Sequence, residues 1–286
     1  MKINFFYIFS MLALIGNSAH AQINVDKTLG ALQSGVSSFT FSNEDAAALS
    51  KEAVKKMDSM NVVAGPKDGY TLRLNRVFGK HATENGLALN YKVYLSKEVN
   101  AFATADGSIR VFSGLMDIMD DNQLLAVIGH EIGHVANEDT KDAIKSAYRK
   151  SALIGVVSSS SEKVAKITDG QIGQVASAII DSKFSRKQET EADVFSYDFM
   201  KKHGYDVNAV ESAFAILVQL AGNAEANFFS KMMSSHPDPN NRAQTAKNRA
   251  VADGLYKAYV QKPIVNKETK PATKKPTTKK PTKKKK

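Results

Sequence analysis

The stretch DDNQLLAVIGHEIGHVANED, residues 120–139, decides how this chain folds and what it can hold. Asp121 is a candidate N-cap, and the apolar residues after it recur at helical spacing, so a helix is expected to run to about Asn137. Within it lie His130, Glu131, Ile132, Gly133 and His134. Four residues apart on a helix, His130 and His134 project from one face, one turn apart. Two imidazoles so placed can converge on one metal ion. Glu131, beside His130, can reach a water on that ion without being a ligand itself. Leu124, Leu125, Ile128, Ile132 and Val135 form a second, apolar face for the core. Gly133 costs about 1 kcal/mol relative to Ala in mid-helix, which predicts a close neighbour there, either another helix or a substrate.

The chain contains no Cys, so any metal must be held by His, Asp or Glu. A catalytic zinc takes three protein ligands and keeps one position open. Glu138 is a poor third ligand: it lies eight residues beyond His130, about 12 Å along the axis. Better candidates lie in SRKQETEADVFSYDFM, residues 185–200. On a helix, Glu189 and Asp193 share a face, while Glu191 lies about 200° around from Glu189 and points elsewhere. One of the pair is expected to bind the ion, and the other to accept a hydrogen bond from a ligating imidazole. Spacing alone does not say which.

Working outward, the 286 residues are 43% hydrophobic, enough for one large domain or two small ones. The net charge of +10 is localised. Residues 262–286 hold eleven Lys and one Glu, so the rest of the chain is balanced. A nucleic-acid-binding domain would spread its basic residues over a folded surface, and no such partner is expected. The N-terminus, MKINFFYIFSMLALIGNSAHAQ, has a positive start, an apolar run and a small-residue cleavage site. It reads as a signal peptide over residues 1–21, with no Cys to make a lipoprotein. No later apolar run approaches the roughly 20 residues of a membrane span. A periplasmic or secreted product is expected.

Residues 22–43 read as a loose lead-in. A helix capped by Ser42 or Asn43 follows, and a second covers Gly69 to Phe78. Residues 89–95 alternate like a strand, and Asp106-Gly107 between two alternating runs predicts a hairpin. Helices are expected from there to about Val260. The fold class is therefore α+β: mainly helical, with a small antiparallel sheet beside the metal helix. One domain is expected over residues 22–261, then a disordered Lys/Pro/Thr-rich tail over 262–286. That tail would either attract anionic envelope surfaces or only solubilise the chain. His81 and His203 lie in polar, loop-like contexts and read as surface residues.

HEIGH followed by ETEAD, with NAFATADGSIRVFSGLMD before and SSHPDPNNR after, resembles the zinc metallopeptidase family of the CAAX prenyl endoproteases and the membrane protease HtpX, and in particular its soluble periplasmic members. The similarity runs from about Leu89 to about Ala246. It implies a zincin fold of the gluzincin type and one zinc ion held by His130, His134 and Glu189, with Asp193 orienting a ligand histidine. It also implies that His236 lies near the metal, either holding the developing oxyanion or blocking the site in a latent form, and that Arg242 reaches back to the wall of the site. Glu131 would then be the general base that takes a proton from water and delivers one to the leaving amine. The strand Asn100, Ala101, Phe102 and Ala103 is a candidate edge on which an extended polypeptide substrate could bind through its backbone. Such tolerant binding suits clearance of exported or misfolded envelope proteins. The competing expectation is a chaperone-like or scaffolding protein with a retained but latent zinc site.

Overall fold

The structure is a computed structural model that describes residues 41–153, 168–221 and 230–266. The signal-peptide reading of residues 1–21 and most of the basic tail lie outside them.

The described chain opens with α1 (Asn43–Met60), capped by Ser42, whose hydroxyl accepts from the Asp45 N–H while the Asp45 carboxylate accepts from the Ser42 N–H. Helix α2 (Gly69–Phe78) follows, as the sequence predicts, with a short 3₁₀ turn at Gly79–His81. Five strands come next: β1 (Thr83–Glu84), β2 (Leu87–Ala88), β3 (Asn90–Tyr94), β4 (Ala101–Ala103) and β5 (Ser108–Phe112). The rest is helical: α3 (Ser113–Ile118), α4 (Asp121–Ala136), α5 (Asp139–Leu153), α6 (Asp169–Ile180), α7 (Arg186–Lys202), α8 (Asn208–Ala221), α9 (Ser230–Ser235) and α10 (Pro239–Ala252). The α+β, mainly helical class expected from the sequence holds.

The expected hairpin is present. β4 and β5 pair antiparallel through Phe102 opposite Arg110, with Gly107 at φ 81° in the turn. β3 pairs with β5 in parallel, which period-2 patterning does not reveal, so the order is β3-β5-β4 with β4 at an edge. The sheet is tied to α1 by the buried Arg110, whose guanidinium donates to Asp58 at 2.8 and 3.1 Å. Phe102 and Phe112 face α1, α5 and α6 in one apolar cluster, while Ala101, Ala103, Ile109 and Val111 face α4 in the other.

Helix α4 runs through the middle of the larger cluster, and every residue from Gln123 to Val135 is buried. Its imidazole face is therefore enclosed by protein rather than turned to solvent. The N-cap is Asp120, not Asp121: Asp120 accepts from the N–H groups of Asn122 and Gln123, and Gln123 reaches back to the Asp120 N–H. Asp121 instead pairs with the buried Arg73 at 2.8 Å. The α4 cap also anchors the end of the described chain. Tyr259 donates to Asp120 at 2.7 Å, and the backbone N–H of Lys262 does the same. Lys262 and Asn266, assigned to the tail by composition, therefore have hydrogen-bond partners on the folded body.

Gly133 explains itself in this packing. A Cβ there would lie 2.8 Å from Ala192 Cα on α7, so the close neighbour is a helix. Ser196, one turn further along α7, donates its hydroxyl to the Ala126 carbonyl at 2.6 Å. The small residues let α7 approach α4 closely enough for short carboxylates to reach the histidines.

Candidate metal centre

His130 and His134 turn their Nε2 atoms toward each other at 3.1 Å. Helix α7 brings in Glu189, whose Oε1 lies 3.4 Å from His134 Nε2 and whose Oε2 lies 3.6 Å from His130 Nε2. His236, just after α9, places Nδ1 at 3.0 Å from Glu189 Oε1 and 3.3 Å from His130 Nε2. All four side chains are buried. Three nitrogens and a carboxylate thus face a common point.

These residues fit a metal ion. A tetrahedral ion with bonds of about 2.0–2.1 Å keeps its ligand atoms roughly 3.3–3.4 Å apart, close to the separations seen among His130, His134 and Glu189. Glu189 is buried, and its Oε1 faces both His134 and His236. Its charge is partnered by Arg242 Nη1 at 2.5 Å.

Each imidazole is aimed by a carboxylate at its other nitrogen. His130 Nδ1 lies 2.9 Å from Asp193 Oδ1, and His134 Nδ1 lies 2.9 Å from Asp139 Oδ2. Arg242 grips Asp193 in turn, with Nη2 at 2.6 Å from Oδ1 and Nε at 2.8 Å from Oδ2. Asp139 was missed from sequence. It lies within the decisive stretch, five residues past His134, but only the left-handed turn at Glu138 (φ 64°) swings it back to that ring. Phe184 stacks on His134 at 3.8 Å between ring centroids, closing the other side.

Glu131 occupies the same chamber without joining the donor cluster. Its Oε2 accepts from the Ala103 N–H at 3.1 Å, and its Oε1 lies 3.6 Å from His236 Nε2. Glu191 is exposed and paired with Lys187, as its helical phase predicts. Glu138 is likewise exposed, held by Lys141 and Asn43. Ala101, Phe102 and Ala103 form the edge strand beside α4 and Asn100 leads into it, but all four side chains are buried.

The surroundings set the protonation states. Burial, the Arg242 guanidinium and His134 all push His130 well below its ordinary pKa. Burial also opposes charge on His134, but hydrogen bonds to Asp139 and Glu189 outweigh it and raise its pKa to about 9. Glu189 resists burial in the same way: hydrogen bonds from His134 and His236 hold it well below the usual carboxylate range. Glu131 has fewer partners, and burial raises its pKa, which moves a carboxylate toward the range of a working base.

Two histidines contradict the surface reading. His81 is buried and His203 half-buried, packed against each other with ring centroids 4.4 Å apart. Their polar sequence neighbours conceal a contact between the 3₁₀ turn and the C-terminal end of α7.

Comparison with known proteins agrees with this geometry. A family profile described as peptidase family M48 matches residues 70–250. The chain is 36% identical over 253 residues to metalloprotease YcaL of Escherichia coli strain K12, covering 85% of this chain and 98% of that one. It is 37% identical over 236 residues to metalloprotease LoiP of the same organism, covering 81% and 92%. Protease HtpX of Nitrosococcus oceani is 36% identical over 97 residues, about a third of each chain. With most of the chain matched and the donor cluster lying inside the matched region, the chain belongs to peptidase family M48 and is a metalloendopeptidase.

Proposed function

We propose that the ion is zinc, held by His130, His134 and Glu189, and that the enzyme hydrolyses peptide bonds of exported or misfolded envelope proteins. The observation that carries this reading is the convergence of Glu189 from α7 on the His130–His134 pair, with Glu131 beside them but outside the donor cluster. Bound there, zinc would supply Lewis-acid polarisation and an acidified water. The protein's own part is proton handling and positioning. Glu131, kept basic enough by burial, takes a proton and passes one to the leaving amine. Asp193 and Asp139 fix the imidazole tautomers. His236 stands within 3.6 Å of Glu131, where it can donate to a developing oxyanion.

The β4 edge supports polypeptide binding. Its ladder bonds at Asn100–Phe112 and Thr104–Ser108 leave the Ala101 and Ala103 N–H groups directed away from β5, and that of Ala103 meets Glu131 in the chamber. An extended chain bound there would be read mainly through its backbone. Residues 1–21 read as a signal peptide, which supports an envelope location. Among the described residues, no helix is long and apolar enough to cross a membrane. The Lys-rich residues beyond Asn266 suit loose attraction to an anionic envelope surface.

The test is casein cleavage and zinc content of wild type against Glu131→Gln. Cleavage should fall by about 10²–10⁴-fold with zinc retained. Unchanged cleavage would remove Glu131 from the chemistry.

A second reading is a latent-site chaperone-like or scaffolding protein. It rests on His236 Nδ1, which lies within 3.3 Å of both Glu189 Oε1 and His130 Nε2 and so takes the place of a fourth ligand. His236→Ala separates the two. Latency predicts that cleavage rises, whereas an oxyanion role predicts that it falls.

A further inference from the structure

The sequence reading left His81 and His203 without a role, and the structure gathers them with Glu84, His81 and Glu84 buried and His203 half-buried, into a compact group distinct from the active centre. We propose that His81, Glu84 and His203 form a second binding site for a zinc-like divalent cation, one that pins the β1 hairpin to the end of α7.

The donor atoms are arranged for it. Glu84 is buried and splits its two oxygens between different partners. Oε1 takes the Lys202 ammonium at 2.6 Å, and Oε2 faces both imidazoles. Oε2 lies 3.0 Å from His203 Nε2 and 3.6 Å from His81 Nδ1. The longer separation is beyond a hydrogen bond and within a few tenths of an ångström of the roughly 3.3–3.4 Å that two ligands of one zinc keep. His81 Nε2 is occupied by the Tyr205 hydroxyl at 2.7 Å. An Nε2–H donated to that hydroxyl leaves the Nδ1 lone pair pointing at Glu84, as in histidine metal sites whose far nitrogen is fixed by a neighbour.

The surroundings allow entry and give the ion something to do. A solvent-open cleft lined by Glu84, Asn85, Phe199 and Lys202 reaches Glu84, giving the group a route to solvent. The site joins residues more than a hundred positions apart in the chain, from the turn after α2 to the C-cap of α7. Helix α7 carries Glu189 near its other end, fourteen residues or about 21 Å away. An ion at His203 would therefore brace the helix that delivers the third ligand of the active centre without touching the chemistry. Because the ion binds the folded state, it should add stability.

The full-length protein is equilibrated with zinc chloride, dialysed against metal-free buffer and assayed for zinc per chain by plasma mass spectrometry. Wild type should retain about two ions, and His203→Ala and Glu84→Gln about one each, with casein cleavage kept in both. A His130→Ala/His134→Ala double variant should also keep about one ion, and adding Glu84→Gln to it should remove that one. Glu84→Gln preserves side-chain shape, so it decides the matter if His203→Ala does not fold. A single ion in wild type that disappears in the double variant overturns the proposal. So does a second ion that survives Glu84→Gln.

Discussion

The backbone N–H of Ala103 donates to Glu131 Oε2 across 3.1 Å, joining the free edge of the sheet directly to the carboxylate beside the metal cluster. That N–H points away from β5, and in the proposed mechanism it passes to a substrate carbonyl when Glu131 handles its proton. Strand edge and proposed base thus share one donor.

Ala103→Pro removes this donor while sparing the ladder to β5, a position where an edge strand tolerates proline. A hydrogen bond to a charged or polarised group contributes about 1.5–3 kcal/mol, so kcat/KM for a peptide should drop about 10–100-fold. Circular dichroism checks that the fold is kept. Unimpaired kcat/KM would place substrate binding on another surface.

Asp193 and Asp139 hold the outer nitrogens of His130 and His134, each at 2.9 Å. Replacing either by Asn should weaken zinc affinity by about 10–100-fold, since the imidazole loses both its tautomer bias and its aim. Competition with a chromophoric chelator measures this. Wild-type affinity in both variants would show that the rings are held by packing alone.

Gly133→Ala tests the closeness of α4 and α7. Helix propensity favours Ala by about 1 kcal/mol. The new Cβ, however, would lie 2.8 Å from Ala192 Cα and 3.1 Å from Phe195 Cβ, and backbone cannot step aside as a flexible side chain can. Overpacking of about 1–3 kcal/mol should win, leaving the variant less stable and its zinc affinity lower as Glu189 is pushed outward. A urea midpoint at or above that of wild type would contradict this.

Asp58 links α1 to the sheet, and its pH response has a definite sign. Burial alone would raise its pKa, but hydrogen bonds from Arg110, Lys92 and Tyr94 bring it down to about 2. A depressed carboxylate stabilises the fold above its unfolded pKa of about 3.9, and that contribution disappears as pH falls through the folded value. Asp58→Asn should cost about 1–2 kcal/mol near neutral pH, allowing for solvent screening, and the gap to wild type should close between about pH 4 and pH 2. Urea titrations at stepped pH measure the gap. A difference that stays constant across that window would show that the pair contributes through shape rather than charge.

Local physics wrote much of this protein into its sequence. A helix turns 100° per residue, so His130 and His134 had to share a face and Glu191 had to leave that of Glu189. The Asp-Gly turn and the α2 boundaries are equally short-range, and the structure has both. What needed the tertiary fold was every question of partner. Glu189 and Asp193 are equivalent by helical phase. They differ only because α7 crosses α4 at Gly129 and Gly133, which brings Glu189 level with the Nε2 atoms and Asp193 level with His130 Nδ1. The parallel β3–β5 pairing, the swing of Asp139 onto His134 and the burial of His81 against His203 likewise depend on where distant segments meet. Side-chain periodicity records which face of an element is apolar. It does not record what that face will touch.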